Sequence, residues 1–481
     1  MQFNSYFYML CFLPLSILGY FVLNKWHATI AKIFLIIMSV FFYAYGNAKE
    51  LVWLAISLIV NCMSIVCVKK LSLKKVWMLL AILFNIGMLF YFKYMDFSIS
   101  ILNEIFNKDI ALKNIVLPLG ISFLTFSQIS YIVDTYHGKT NDNSLMDYLL
   151  YILYFPKILM GPIVKQELLI PQFHDKNLQK LNADNLTNGI KMFVLGLLKK
   201  LVLADTFFKA VNWGFENISV STSLDFIIVM FAYTMQIYFD FSGYSDMAIG
   251  TSMMLNIKLP INFDSPYKAY SIREFWKRWH ISLTKFLTEY IYIPLGGNRK
   301  TKLNTYMNIL IVFIISGIWH GANWTFILWG FFHGLFSIFD RLTDKWRKNI
   351  HPAMQWASTF FLVSILWLLF RANNISEWIL LLKHMFNFRD MGISDELLAT
   401  FVNPETEFLM RLFFLSKLNT VIRGLSMIIF FVASFVLLLC AENTYKMKFR
   451  NDIISAIGMS ILLLFCLTLL GSESVFVYFN F

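Results

Sequence analysis

The chain has 481 residues, of which 58% are hydrophobic, 18% aromatic and only 15% charged, where soluble domains carry about 25% charged residues. No soluble fold of this length hides that much apolar surface, so lipid is the solvent, and disorder, collagen, coiled coil and disulfide scaffolds are excluded. The formal charge of +12 fits basic loops that orient a membrane protein, because no basic-plus-aromatic nucleic-acid module occurs away from a membrane flank.

Apolar stretches bracketed by charge predict helices near 6–23, 31–46, 51–68, 76–92, 115–133, 147–163, 224–241, 303–319, 324–340, 354–370, 424–440 and 452–470. A weaker stretch near 188–204 is interrupted by the doublet Lys199–Lys200. The opening MQFNSYFYMLCFLPL has no Lys or Arg ahead of its apolar run and no small-residue cleavage site, so it reads as a first membrane helix and not a cleaved signal. KKLSLKK (Lys69 to Lys75) holds four lysines in seven residues, which puts it in the cytoplasm and the N-terminus outside. The basic segments 273–302, 341–348 and 446–450 also belong inside. Consistent parity then requires one apolar segment between 93 and 223 to be re-entrant or interfacial. The polar stretch 371–423 predicts short amphipathic helices outside the membrane. With no repeat, linker or low-complexity tract, residues 1–481 read as a single membrane domain. The five cysteines lie in apolar runs, with neither CxxC nor metal spacing to a His, so neither a disulfide framework nor a metal site is expected.

Ionisable residues at membrane depth are expensive and therefore candidates for function. SGIWHGANW (316–324) places His320 between Gly317 and Gly321 at the junction of two apolar spans, with Trp319 and Asn323 beside it. A partly desolvated imidazole stays neutral and can take a proton from a hydroxyl, although a structural histidine bonded to a carbonyl fits the same position. REFWKRWHISL (273–283) interleaves Trp276 and Trp279 with Lys277, Arg278 and His280. That composition suits an interfacial helix, and equally basic residues that hold a phosphate-bearing donor while His280 faces the reaction centre. MQIYFDFSGYSDMAIG (235–250) sets Gln236 and Asp240 on one helical face, followed by Tyr244. Gly243 is expected to break that helix and leave Asp246 on the next one. Asp240 and Asp246 should pair with a cation or donor as scaffolding for a pocket. YIYIPLGGNRK (290–300) predicts a tight turn at Gly296–Gly297 with a basic exit. His333 reads as a core histidine. GxSxG, HExxH and a Cys with a base beside it are all absent. If an acyl group is moved, direct attack on a thioester with one histidine as base is what remains.

These residues resemble the membrane-bound O-acyltransferase (MBOAT) family, in particular its bacterial branch of alginate O-acetyltransferase membrane subunits. The matching stretches include 118–138, YFPKILMGPIVK (154–165), 238–267, 275–300, SGIWHGANWTFILWGFFHG (316–334), WLLFRA (367–372) and the terminal FVYFNF. The resemblance implies an all-α polytopic fold, a ring of about eleven to twelve transmembrane helices with re-entrant or interfacial helices around a funnel. It implies that His320 is the essential histidine, as general base, and His280 the second motif histidine. It also implies acetyl transfer from cytoplasmic acetyl-CoA across the cell membrane to an exported polysaccharide, alginate-like or peptidoglycan-like. A secreted or anchored acetyltransferase would be the partner, and no cofactor would be bound. Trp319, Asn323, Asp240, Gln236, Tyr244, Trp276, Lys277 and Arg278 are the candidate substrate contacts, with Lys277 and Arg278 on phosphates. D-alanyl transfer to teichoic acid ranks second; a non-enzymatic acyl transporter and a recruiting scaffold are the other readings.

Overall fold

The computed structural model describes residues 1–388, 390–402, 419–471 and 476. Every regular element among them is helical. Among the described residues, seven helices are long and apolar enough to cross a membrane, and Ala28–Ala44 and Ile453–Thr468 are apolar but shorter. The expected count of spans was larger. The 115–133 stretch yields only Ile121–Tyr136, and the 147–163 stretch breaks at Tyr154 into Leu145–Leu153 and Phe155–Ile158. Pro156 is the reason: without an N–H it is tolerated in a first turn but not inside a helix, so a new turn starts at Phe155. Trp324–Leu342 is long enough, yet it carries His333, Asp340 and Arg341.

The described chain divides into two compact units. The first comprises Met1–Leu195, Tyr244–Ile261 and Phe449–Leu470. Inside it, Asn61 and Asn85 exchange amide hydrogen bonds of 3.2 and 2.8 Å between the helices Glu50–Lys70 and Lys74–Leu89, the polar contact between helices that a lipid environment favours. Lys32 and His174 both meet the Asp147 carboxylate, at 3.4 and 2.8 Å.

The second unit comprises Gly196–Gly243, Asn262–Lys448 and Gly471–Phe481, and it holds almost all the residues singled out above. Two expectations are corrected here. The Lys199–Lys200 doublet does not interrupt the helix; Ala183–Leu198 runs into a π-helical stretch, Lys199–Ala204, and on into Asp205–Glu216. Gly243 does not break its helix either. Ser223–Met254 is continuous through it, and Asp246 lies on the same helix as Asp240. What Gly243 supplies is closeness: a Cβ there would sit 2.8 Å from the Gly196 carbonyl oxygen. In the 371–423 stretch, Ile375–Met385 and Asp395–Ala399 are short helices. Arg389, Glu405, Glu407, Arg411 and most of the terminal FVYFNF lie outside the described residues.

Candidate functional site

Lys302–His320 and Trp324–Leu342 form a tight helical hairpin. Gly317 and Gly330 permit it, because a Cβ on either would run into a backbone carbonyl of the facing helix, Phe326 and Phe313 respectively. His320 is the last residue of the first helix, after which Gly321 turns the chain into extended backbone. Asn323 caps the second helix by accepting from the Thr325 N–H, and it donates to the Asn373 carbonyl at 2.7 Å. This makes Asn323 a joint between the hairpin and the segment after Pro352–Arg371.

His320 is only 3% exposed. The rings of Trp319, Trp329 and Phe370 surround it at centroid distances of 4.9, 5.3 and 5.2 Å. His280 is fully buried between the short helices Ile272–Arg278 and Ile281–Leu287, and it holds a left-handed backbone with φ +45°. Non-glycine residues enter that region rarely, and when they do the surroundings must hold them there. Phe241 meets the His280 ring at 4.7 Å, and Trp319 lies 6.1 Å away. Burial pushes the His280 imidazole down to about 3, so it is neutral. The two histidine rings stand 6.5 Å apart.

Asp240, expected to need a cation, has one. Lys200 Nζ lies 2.7 Å from Asp240 and 2.9 Å from Asp205, and the lysine and Asp240 are almost wholly buried. Asp240 therefore secures the helix whose next residue, Phe241, packs on His280. Gln236 lies one turn earlier with its Oε1 unpartnered among the described residues. Tyr244 belongs to the first unit, where it stacks on Phe3 at 5.0 Å.

A cavity of about 390 Å³ opens beside the hairpin. Arg273, Lys277 and Arg341 line it together with Trp276, Ser316 and Ser337. Ser316 is one turn before His320 on the same helix. Trp276 also donates its indole N–H to His333 Nδ1 at 3.2 Å, so the proton of a neutral His333 sits on Nε2. Of the two cations expected to meet phosphate, only Lys277 lines the cavity. Arg278 is committed to Glu274 at 2.8 and 3.0 Å and to the Asp264 carbonyl at 3.2 Å. Arg273, whose guanidinium approaches Asp344 at 3.6 Å, and Arg341 take its place. Lys277 and Arg341 have no carboxylate partner among the described residues. Sequence reasoning counted Arg273 and Arg341 only as orientation charges, and it missed Lys200. The signal for Lys200 was present: a lysine doublet that an apolar run tolerates needs a buried counter-ion.

The arrangement offers two enclosed imidazoles, one of them held neutral, beside a basic cavity with apolar walls. This suits proton removal from a hydroxyl next to a bound anionic donor. Comparison with known proteins points the same way. A family model described as "MBOAT, membrane-bound O-acyltransferase family" matches residues 35–375. A peptidoglycan O-acetyltransferase of Helicobacter pylori is 36% identical, with 100% of this chain and 97% of that protein covered. A probable alginate O-acetylase of Azotobacter vinelandii is 37% identical over 82% of this chain and 80% of its own. A teichoic acid D-alanyltransferase of Streptococcus thermophilus is 32% identical, over 48% of this chain and 58% of its own.

Proposed function

The chain belongs to the membrane-bound O-acyltransferase family, and from that premise we propose that it moves an acetyl group from cytoplasmic acetyl-CoA to hydroxyls of an exported cell-surface polysaccharide. The observation that carries the reading is the pair of buried imidazoles 6.5 Å apart, with Ser316 of the basic cavity one turn before His320. In this reading the phosphates of the donor rest against Arg273, Lys277 and Arg341, and the thioester arm lies along the apolar wall toward His320. Its imidazole takes the proton of the attacking hydroxyl. A C–O bond forms as the C–S bond breaks, and the leaving thiolate takes up the proton. His280, held by Phe241 and Trp319, sets the position of the reacting groups. Trp319 and Trp276 supply apolar walls, while Asp240 braces the helix behind Phe241. Gln236, one turn from Asp240, is kept as a substrate contact.

The names of the relatives support acetyl as the acyl group and a polysaccharide as the acceptor. A secreted or anchored acetyltransferase as partner is part of the proposal and rests on the resemblance alone. The family match, over residues 35–375, includes residues of both units, which supports reading residues 1–481 as a single acyltransferase domain. The lysines of 69–75 support a cell-membrane orientation with the N-terminus outside. The D-alanyltransferase match covers only about half of the chain, which keeps D-alanyl transfer second. The test is labelled acetyl-CoA supplied to purified full chain. His320→Ala at normal membrane level should lose acetyl transfer, and unchanged transfer by that variant sinks the reading.

A further inference from the structure

His333 and Asp340 lie seven positions apart on the helix Trp324–Leu342, which puts them on one face of it, and both are buried. Each accepts a hydrogen bond from the short helix Ile272–Arg278. Asp340 Oδ2 takes the backbone N–H of Arg273 at 3.1 Å, and His333 Nδ1 takes the indole N–H of Trp276 at 3.2 Å. The other Asp340 oxygen meets Arg347, whose guanidinium also donates to the Tyr270 carbonyl just ahead of that helix. The short helix is thus clasped to the hairpin at its start and again almost one turn on.

Packing alone does not explain a histidine at 333. Its ring sits among Trp329, Trp276, Phe313 and Trp367 at centroid distances of 4.7, 5.0, 6.4 and 6.4 Å. A phenylalanine would suit that place and bring no polar atom into it. The histidine instead leaves its Nε2 buried without a hydrogen-bond partner among the described residues, which costs stability. What offsets that cost is Nδ1, an acceptor for Trp276 in a place otherwise walled by rings. Trp276 is where the parts of the site meet. It lines the basic cavity and packs on Trp329 at 5.5 Å, and Trp329 packs on His320 at 5.3 Å. Four residues on from Trp276, just beyond the end of its helix, comes His280.

We propose that His333 is a positioning residue for the acyl transfer: its Nδ1 fixes the Trp276 indole, and with Asp340 it seats the helix Ile272–Arg278 so that the cavity wall and His280 keep their places relative to His320. The inference rests on the acetyl-transfer reading and adds to it a third histidine, one that acts through Trp276 and touches no reacting atom.

The experiment uses purified full chain in lipid, labelled acetyl-CoA and a soluble peptidoglycan fragment, and it compares three substitutions. In His333→Asn the amide oxygen is bonded to Cγ, as Nδ1 was, and can accept from Trp276. In His333→Gln the polar group falls near the place of Nε2, and His333→Phe keeps a ring but has no acceptor. His333→Phe and His333→Gln should lower kcat by about 10–100-fold, the cost of misplacing reacting groups by an ångström or so. His333→Asn should retain most of the wild-type kcat. A role in packing predicts the reverse order, because Phe fills the site best and Asn leaves the largest void. The second readout is the indole ¹⁵N–¹H resonance of Trp276, recognised by its loss in Trp276→Phe. It should shift in His333→Phe and stay close to its wild-type position in His333→Asn. A kcat for His333→Phe equal to or above that of His333→Asn overturns the positioning role, and so does a Trp276 resonance indifferent to His333→Phe. If His333→Phe does not fold, His333→Gln against His333→Asn carries the same comparison. Absence of any thioester cleavage by the wild type instead overturns the acetyl-transfer reading beneath it, while the indole resonance still decides whether His333 holds Trp276.

Discussion

Asp240 and Phe241 are consecutive residues on one buried helix, and they serve two clusters that solve the problem of burial in opposite ways. Asp240 keeps its charge and needs Lys200 at 2.7 Å, with Asp205 also on that lysine. Phe241 faces His280, which gives up its charge on burial and packs among aromatic rings. A buried ion pair is locked, because removing either partner strands the other. A buried neutral imidazole keeps a lone pair available. The difference separates bracing from chemistry: the paired carboxylate holds the helix, and the imidazoles enclosed by aromatic rings are placed for the reaction.

Substitutions can break this contrast at several levels. The largest effect expected is on turnover: His320→Ala should cut acetyl transfer by about 10²–10⁴-fold, the range of a general base, with unfolding temperature near that of the wild type. Steady-state rates on membrane-matched amounts of protein check it. On the bracing side, Lys200→Met leaves Asp240 buried without its cation and should cost about 3–5 kcal/mol of stability. Adding Asp240→Leu should recover most of that loss, a signature that an independent contribution from each residue does not give. Thermal unfolding in detergent reads both variants.

A pH scan sharpens the contrast further. The folded His280 imidazole titrates near 3, below its ordinary value of 6.5, so the unfolded chain binds that proton first. The stabilisation from keeping it neutral is whole above pH 6.5 and is lost progressively as the pH falls toward 3. His280→Gln should flatten that part of the stability curve, and an unchanged slope would show that the proton goes elsewhere. The smallest effect belongs to the cavity. Lys277→Ala and Arg341→Ala should each raise the KM for acetyl-CoA by about tenfold and leave kcat near the wild-type value, as loss of uniform binding does. A fall in kcat instead would place these cations nearer the reacting atoms.

Much of the scaffold was legible in the chain. Apolar length and flanking charge located Glu50–Lys70, Lys302–His320 and Pro352–Arg371 to within a residue or two. Pairing of Asp240 with a cation followed from the cost of burying a carboxylate, though not which cation. Gly243 shows where local reasoning stopped. Its missing side chain signalled a helix break, yet it serves a close approach to Gly196 that the neighbouring sequence does not contain. Arg278 shows the same limit for the site, since composition cannot say which of two adjacent cations Glu274 will claim.

The sequence by itself determined the solvent, the helical class and the small set of ionisable residues worth examining, because each depends on composition and on spacing along one helix. Only the tertiary structure decided which of them meet. It brought His280 to 6.5 Å from His320 across forty positions of chain, paired Lys200 with Asp240 across another forty, and replaced Arg278 by Arg341 in the cavity wall. Contacts of that kind depend on how helix faces are aimed at one another. That aim is set by the packing of all the helices together, so no local pattern encodes it.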